Sequence, residues 1–174
     1  MAKVIIAIDG SAGCGKTTVS RKVAFRLNAL HLNSGLLYRA IALESIRRKI
    51  PVNDHKSSVA LARGFVPTIT KSKEGHLFLT IETVKELQSE DIAERASLLA
   101  THGEIRDLMS SIQHKLINQE KNIVVLEGRD SGTRIAPNSP LKLFLDTSLE
   151  LRAKQRADQI ISLGKPADLN KIME

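Results

Sequence analysis

Gly10-Ser11-Ala12-Gly13-Cys14-Gly15-Lys16-Thr17 decides how this chain is read. The stretch matches the phosphate-binding pattern G-x-x-x-x-G-K-[ST] at every fixed position. Its surroundings are those the pattern requires. Ahead of it, residues 3–9 (KVIIAID) form a short apolar, β-branched run that reads as a buried strand. Behind it, residues 16–29 read as a helix, with Val19, Val23, Phe25, Leu27 and Leu30 mostly on one face. The glycines allow backbone N–H groups to turn inward around an anion. The helix N-terminus adds its partial positive charge. Lys16 can reach the outer phosphates, and the Thr17 hydroxyl can ligate Mg²⁺. The expected ligand is a nucleoside triphosphate with Mg²⁺, held along Gly10, Ser11, Ala12, Gly13, Cys14, Gly15, Lys16, Thr17 and Thr18.

Moving outward, two more apolar runs read as buried strands, residues 122–127 (NIVVLE) and 141–145 (LKLFL). Residues 30–33 (LHLN) are a weaker third. Helical stretches are expected over about 36–48, 90–100, 101–118 and from 147 to Gly164. Thr101 with Glu104, and Thr147 with Glu150, fit the capping-box pattern at two of these starts. Strands alternating with helices imply an α/β fold with a parallel sheet flanked by helices. Functional residues then gather at the C-terminal ends of the strands. Residues 65–70 and 76–81, around a turn at Lys73-Glu74-Gly75, read instead as a hairpin, with a short third strand at 83–85. This gives a division into a core (1–63 and 91–174) and a small antiparallel β insertion (64–90).

The 174 residues suit one compact domain and its insertion. No charged-then-apolar leader is present, and the longest apolar runs are about five residues, so neither a signal peptide nor a membrane span is expected. One cysteine makes no internal disulfide and fits a reducing, cytoplasmic setting. The net charge of +7 has two readings, nucleic-acid binding or the handling of several phosphates. The basic residues are scattered, and four Phe, one Tyr and no Trp offer no stacking platform. Phosphate handling is the stronger reading. The five histidines show no metal-ligand spacing.

Three further stretches narrow the chemistry: Asn33-Ser34-Gly35-Leu36-Leu37-Tyr38-Arg39, Arg106 nine positions after Ser97, and Gly128-Arg129-Asp130-Ser131-Gly132-Thr133. With the loop, they resemble the bacterial-type cytidylate kinase family from Val4 to the chain end. The resemblance implies a P-loop nucleoside monophosphate kinase fold and ATP-dependent phosphorylation of CMP and dCMP. It implies that Arg39 and Arg129 clamp the acceptor phosphate, with Ser34 beside them. Ser97, Arg106 and Asp130 would read the cytosine ring. Lys16, Arg129, Arg152 and Arg156 would stabilise the transferring phosphate, and Thr17 and Asp9 would lie at the Mg²⁺. Tyr38 reads as a packing residue. A monomer is expected, with self-association possible through an exposed edge strand at 141–145.

The chain also departs from the family pattern. Asn33 stands where Asp is usual, Gln88 where an arginine is common, and Gln155 in place of another lid arginine. Arg152, Lys154 and Arg156 look like the start of a lid helix. The family's further arginine-rich stretch, last strand and last helix are not found after it. Two alternatives therefore stay open from sequence: a nucleotide-binding but catalytically impaired relative, and a different phosphate-loop kinase of a small metabolite.

Overall fold

The computed structural model describes residues 3–72, 77–83, 85–120, 122–162, 164, 166–168 and 172. Strand β1 (Val4–Gly10) leads through the glycine loop into helix α1 (Lys16–Arg26). Strand β2 (Leu30–Asn33) follows, then α2 (Ser34–Arg47) and α3 (His55–Arg63). A hairpin, β3 (Ile69–Lys71) and β4 (Leu77–Leu79), precedes two 3₁₀ turns and α4 (Glu90–Leu99). Then come α5 (Gly103–Gln119), β5 (Ile123–Glu127), a π-helical turn over 131–135, β6 (Leu141–Leu145) and α6 (Leu149–Ser162).

β1, β2, β5 and β6 form one parallel sheet in the order β2-β5-β1-β6. Pairing puts Ile8 beside Glu127, Asn33 beside Glu127, and Gly10 beside Leu145. All four strands therefore end at one edge, where the loop lies. β1, β2 and β5 are largely apolar because both faces of the sheet are covered there. On one face Ile6, Ile8 and Val125 pack with Ala24 and Ala29 beneath α1. On the other, Leu30, Leu32, Val124 and Leu126 join Leu37, Ile41, Leu99, Ile105 and Met109 from the helices. Leu79 of β4 is fully buried in that second cluster and ties the antiparallel pair to the main core.

β6 is the outer strand, and no further strand lies beside it among the described residues. It carries exposed apolar side chains, Phe144 at 69%. No helix among the described residues is long and apolar enough to cross a membrane.

Several local expectations are corrected. The third short strand at 83–85 is absent among the described residues: Thr83 ends one 3₁₀ turn and Lys85 begins the next. The turn Lys73-Glu74-Gly75 lies outside the described residues. Thr101 does not cap α5. Its hydroxyl donates back to the Leu98 carbonyl, finishing α4, and α5 starts after His102 without a side-chain cap. At α6 the cap is Ser148 rather than Thr147, accepting from Leu151 N–H at 3.3 Å. Helix α3 was not expected. Asp54 caps it by accepting from Ser57 N–H at 3.0 Å.

Candidate active site

Three of the loop glycines, Gly10, Gly13 and Gly15, have positive φ, and two of them show why. Gly10 has φ of 154°, and a Cβ there would sit 2.1 Å from the Leu145 carbonyl oxygen, where β6 ends against it. Gly15 caps α1 in the left-handed conformation, φ 84°. Both favour a residue without Cβ. Lys16 folds back over the loop. Its Nζ donates to the Gly10 carbonyl at 2.8 Å and to the Ser11 carbonyl, and lies 3.7 Å from Cys14 Sγ. Burial lowers the pKa of this ammonium; Cys14 opposes that shift and Arg129 adds to it.

Beside the loop lies a buried polar cluster built on Glu127, the last residue of β5 and only 4% exposed. Its Oε1 accepts from the Thr17 hydroxyl at 2.6 Å. Its Oε2 lies 2.8 Å from His31 Nε2 and 3.0 Å from Asn33 Nδ2. His31 is also buried. The carboxylate in contact with Thr17 is thus Glu127 and not Asp9. Asp9 spends its oxygens elsewhere: Oδ1 accepts from Ser131 N–H and Oδ2 from Gly132 N–H, both at 2.8 Å. It braces the π-helical turn that follows Gly128-Arg129-Asp130.

On the opposite side, Arg106 of α5 and Asp130 form an ion pair at 2.8 Å, each about a third exposed. That contact raises the Arg106 pKa. Tyr38 borders the pair. Burial first, and the Asp130 charge second, raise the pKa of its phenol. Tyr38 also packs against the larger core cluster, as its reading as a packing residue expects. Ser34 is buried, and its hydroxyl donates to Gln113 Oε1 at 2.6 Å. Arg39 donates to the Leu87 carbonyl at 2.6 Å. Burial and then the nearby Arg156 lower its pKa. Ser97 uses its exposed hydroxyl within α4, donating to the Ala93 carbonyl at 3.0 Å, so it is not joined to the Arg106–Asp130 pair. Arg129 is exposed and close enough to Lys16 to affect its charge.

Helix α6 lies over the loop. A Cβ on Gly13 would meet the Arg152 carbonyl oxygen at 3.1 Å, and one on Gly15 would meet the Gln155 side-chain oxygen at 4.0 Å. The Nε of Arg152 is buried with no hydrogen-bond partner among the described residues. Arg156 pairs with Glu90 at the start of α4, 2.8 Å away. Two of the expected cations, Arg152 and Arg156, are thus carried by the helix that covers the phosphate loop.

Sequence reading missed Glu127, His31 and Asn33 as one cluster. A signal was available for Glu127: an acid closing a buried parallel strand, at the sheet edge where ligands bind. Hydroxyl and carboxylate oxygens at Thr17 and Glu127 are hard donors of the kind Mg²⁺ takes. Among the described residues no group of three or more His, Cys, Asp or Glu could hold a metal alone.

The cytidylate kinase family model matches residues 6–174 of the chain. A cytidylate kinase of Geobacillus sp. (strain WCH70) is 36% identical over 169 residues, which is 96% of this chain and 75% of that protein. One from Aquifex aeolicus (strain VF5) is 36% identical over 171 residues, 97% of this chain and 75% of the relative. One from Acholeplasma laidlawii (strain PG-8A) is 33% identical over 175 residues, covering 100% and 76%. With the loop, the parallel sheet and the covering helix already in place, the chain belongs to the cytidylate kinase family of ATP-using nucleoside monophosphate kinases.

Proposed function

We propose that this protein transfers the γ-phosphoryl group of ATP to CMP or dCMP, giving CDP or dCDP. The observation that carries the choice of base is the Arg106–Asp130 pair beside Tyr38. A guanidinium and a carboxylate side by side offer donors and an acceptor to one planar edge. Cytosine presents N3 and O2 as acceptors and a 4-amino donor. Uracil replaces the amino group by a carbonyl and N3 by an N–H. Asp130 then faces an acceptor and Arg106 a donor, and unmatched groups of this kind cost roughly 1–3 kcal/mol each.

The chemistry asks for positioning and charge rather than a general base. A phosphate oxygen of the acceptor is already anionic. It attacks the γ-phosphorus in line, one P–O bond forming as the bond to the β-phosphate oxygen breaks and ADP leaves. Lys16 leaves the Gly10 and Ser11 carbonyls and turns to the phosphates of the donor. Arg39 and Arg129 hold the acceptor phosphate through guanidinium forks. Arg152 brings a buried Nε that lacks a partner, which a phosphate oxygen would supply. Thr17 and Glu127 are the residues that would hold Mg²⁺ on the donor side. That ion supplies charge neutralisation on the phosphates. Helix α6 keeps water from the transferring group, so that hydrolysis does not compete.

The test is ADP release by the purified chain with ATP and Mg²⁺, offering CMP, dCMP, UMP or AMP in turn. CMP and dCMP should be turned over with kcat/KM at least about tenfold above UMP. Equal values for CMP and UMP would remove the base-reading role of Arg106 and Asp130. Binding of both nucleotides without ADP release would favour the impaired relative.

A further inference from the structure

We infer that His31 is a positioning residue for the metal side of the donor site, acting through Glu127. The inference rests on the reading above, in which Thr17 and Glu127 face Mg²⁺. It concerns a buried histidine that the phosphoryl-transfer chemistry itself leaves unused.

Glu127 ends the strand between β2 and β1, and its carboxylate is buried. A buried carboxylate must have its lone pairs met by donors. The two oxygens are met unequally. His31 and Asn33 both engage Oε2, at 2.8 and 3.0 Å, while Oε1 receives the Thr17 hydroxyl at 2.6 Å. Because a carboxylate only accepts, the His31 ring carries its hydrogen on Nε2 to make this bond. His31 and Asn33 are two apart on β2, so their side chains leave the same face of the sheet. Asn33 is in register with Glu127, and His31 with Val125. The two donors therefore grip one oxygen from one strand. The other oxygen is left at the loop, beside the hydroxyl of Thr17.

This division of labour fixes the direction of the carboxylate. Without His31, Oε2 keeps a single amide donor, and the carboxylate loses its strongest reason to hold Oε1 at Thr17. The loss bears on a cation at Thr17, because the phosphates themselves meet the loop amides and Lys16. Asn33 serves two ends at once. Its Oδ1 accepts from Leu36 N–H at 3.2 Å and caps α2, while its Nδ2 holds Glu127. An aspartate at 33 would keep the cap but set a second carboxylate about 3 Å from Oε2, where like charges repel. Asn33 and His31 thus form one device around Glu127.

The experiment is calorimetric titration with ATP, once with excess Mg²⁺ and once with EDTA, on the natural chain and on His31→Leu, His31→Gln, His31→Asn and Asn33→Asp. Thermal melting of each variant runs alongside. Residues that orient a metal ligand typically change metal affinity by about 10–100-fold when replaced. We expect His31→Leu to weaken Mg²⁺·ATP by roughly tenfold or more and metal-free ATP by less than about twofold. His31→Gln, which keeps a donor of similar reach, should recover most of the loss. Asn33→Asp, which removes the second donor to Oε2, should show a metal-selective loss as well; if His31→Leu does not fold, His31→Asn, whose shorter amide withdraws the donor from Oε2, decides the matter by the same loss. Equal weakening of both forms of ATP, or no weakening of either, would overturn the inference. Failure of the natural chain to bind Mg²⁺·ATP would instead overturn the donor-site reading beneath it.

Discussion

On the donor side Asp9, Thr17, His31, Asn33 and Glu127 hold one another or the neighbouring backbone through short contacts, all buried or half-buried. By contrast, Arg39, Arg106 and Arg156 are each held by a group other than a phosphate: the Leu87 carbonyl, Asp130 and Glu90. The first set sits on β1, β2 and β5 and on the first turn of α1, so few torsions remain free. The second set comes from α2, α5 and α6, and its contacts are largely solvent-accessible pairs that a ligand can replace. On the proposed function, the donor half is preorganised, whereas the acceptor half is completed when substrate arrives. Lys16, folded back on the Gly10 carbonyl, is the exception in the donor half, since on that proposal it turns to the phosphates.

The largest effect tests that exception. Lys16→Ala should lower phosphoryl transfer by roughly 10²–10³ or more, because a preorganised charge at the transferring group is removed. The melting temperature should change little, since no core cavity opens. Turnover within about threefold of the natural chain would break the comparison at its base, by showing that the loop is not the donor site.

Asp9 tests the rigidity of the donor half directly. Asp9→Ala would leave the N–H groups of Ser131 and Gly132 without their acceptors in a buried position. Each such group costs about 1–3 kcal/mol, so urea unfolding should show a loss of about 2–5 kcal/mol. Asp9→Asn keeps one carbonyl acceptor and should lose roughly half as much. A stability change below about 0.5 kcal/mol, with a strong shift in Mg²⁺ dependence, would return Asp9 to the metal.

The contrast also explains what the sequence could reveal. The phosphate loop is legible because its fixed spacing encodes a local backbone shape. β1 and β5 are legible because burial on both faces makes them continuous apolar runs, whereas β2 is short and mixed, and β6 is an apolar run although its side chains are exposed. The resemblance implies that Asp9 lies at the Mg²⁺; the contacts its oxygens make, with the N–H groups of a turn more than 120 positions away in the chain, are not legible in the sequence. His31 and Glu127 are 96 positions apart and meet only because β2 pairs with β5. No periodicity in the chain states that strand order. Thr101 and Glu104 match a capping box, but α4 ends immediately before them and takes the threonine hydroxyl. The α3 segment His55-Lys56-Ser57-Ser58 opens with polar residues, so its helix escapes a search for apolar stripes.

Arg106→Ala addresses the acceptor half. It should lower the CMP-over-UMP ratio of kcat/KM by about tenfold, equivalent to roughly 1–3 kcal/mol for one lost hydrogen-bonding partner. The affinity for Mg²⁺·ATP should stay within about twofold, because Arg106 lies outside the donor cluster. A parallel fall in ATP affinity would show that the two halves are coupled before substrate binds, and the contrast between them would have to be redrawn.

The smallest expected effect concerns the pair that links the covering helix to α4. Arg156 and Glu90 meet at 2.8 Å, with side chains 34% and 50% exposed. Solvent screening leaves such pairs worth about 0.2–1 kcal/mol, so Glu90→Gln should shift the melting temperature by only about 1–3 °C. If the acceptor half is completed by substrate, Arg156 must leave Glu90 to reach a phosphate. Removing the competing carboxylate then favours that step, and KM for CMP should fall by up to about twofold while kcat holds. If Glu90 instead fixes α6 in its working position, the same variant should lower kcat and raise KM together. Steady-state kinetics at low and high salt separate the two cases: screening should erase a gain that came from competition, because the natural pair is itself weakened by salt.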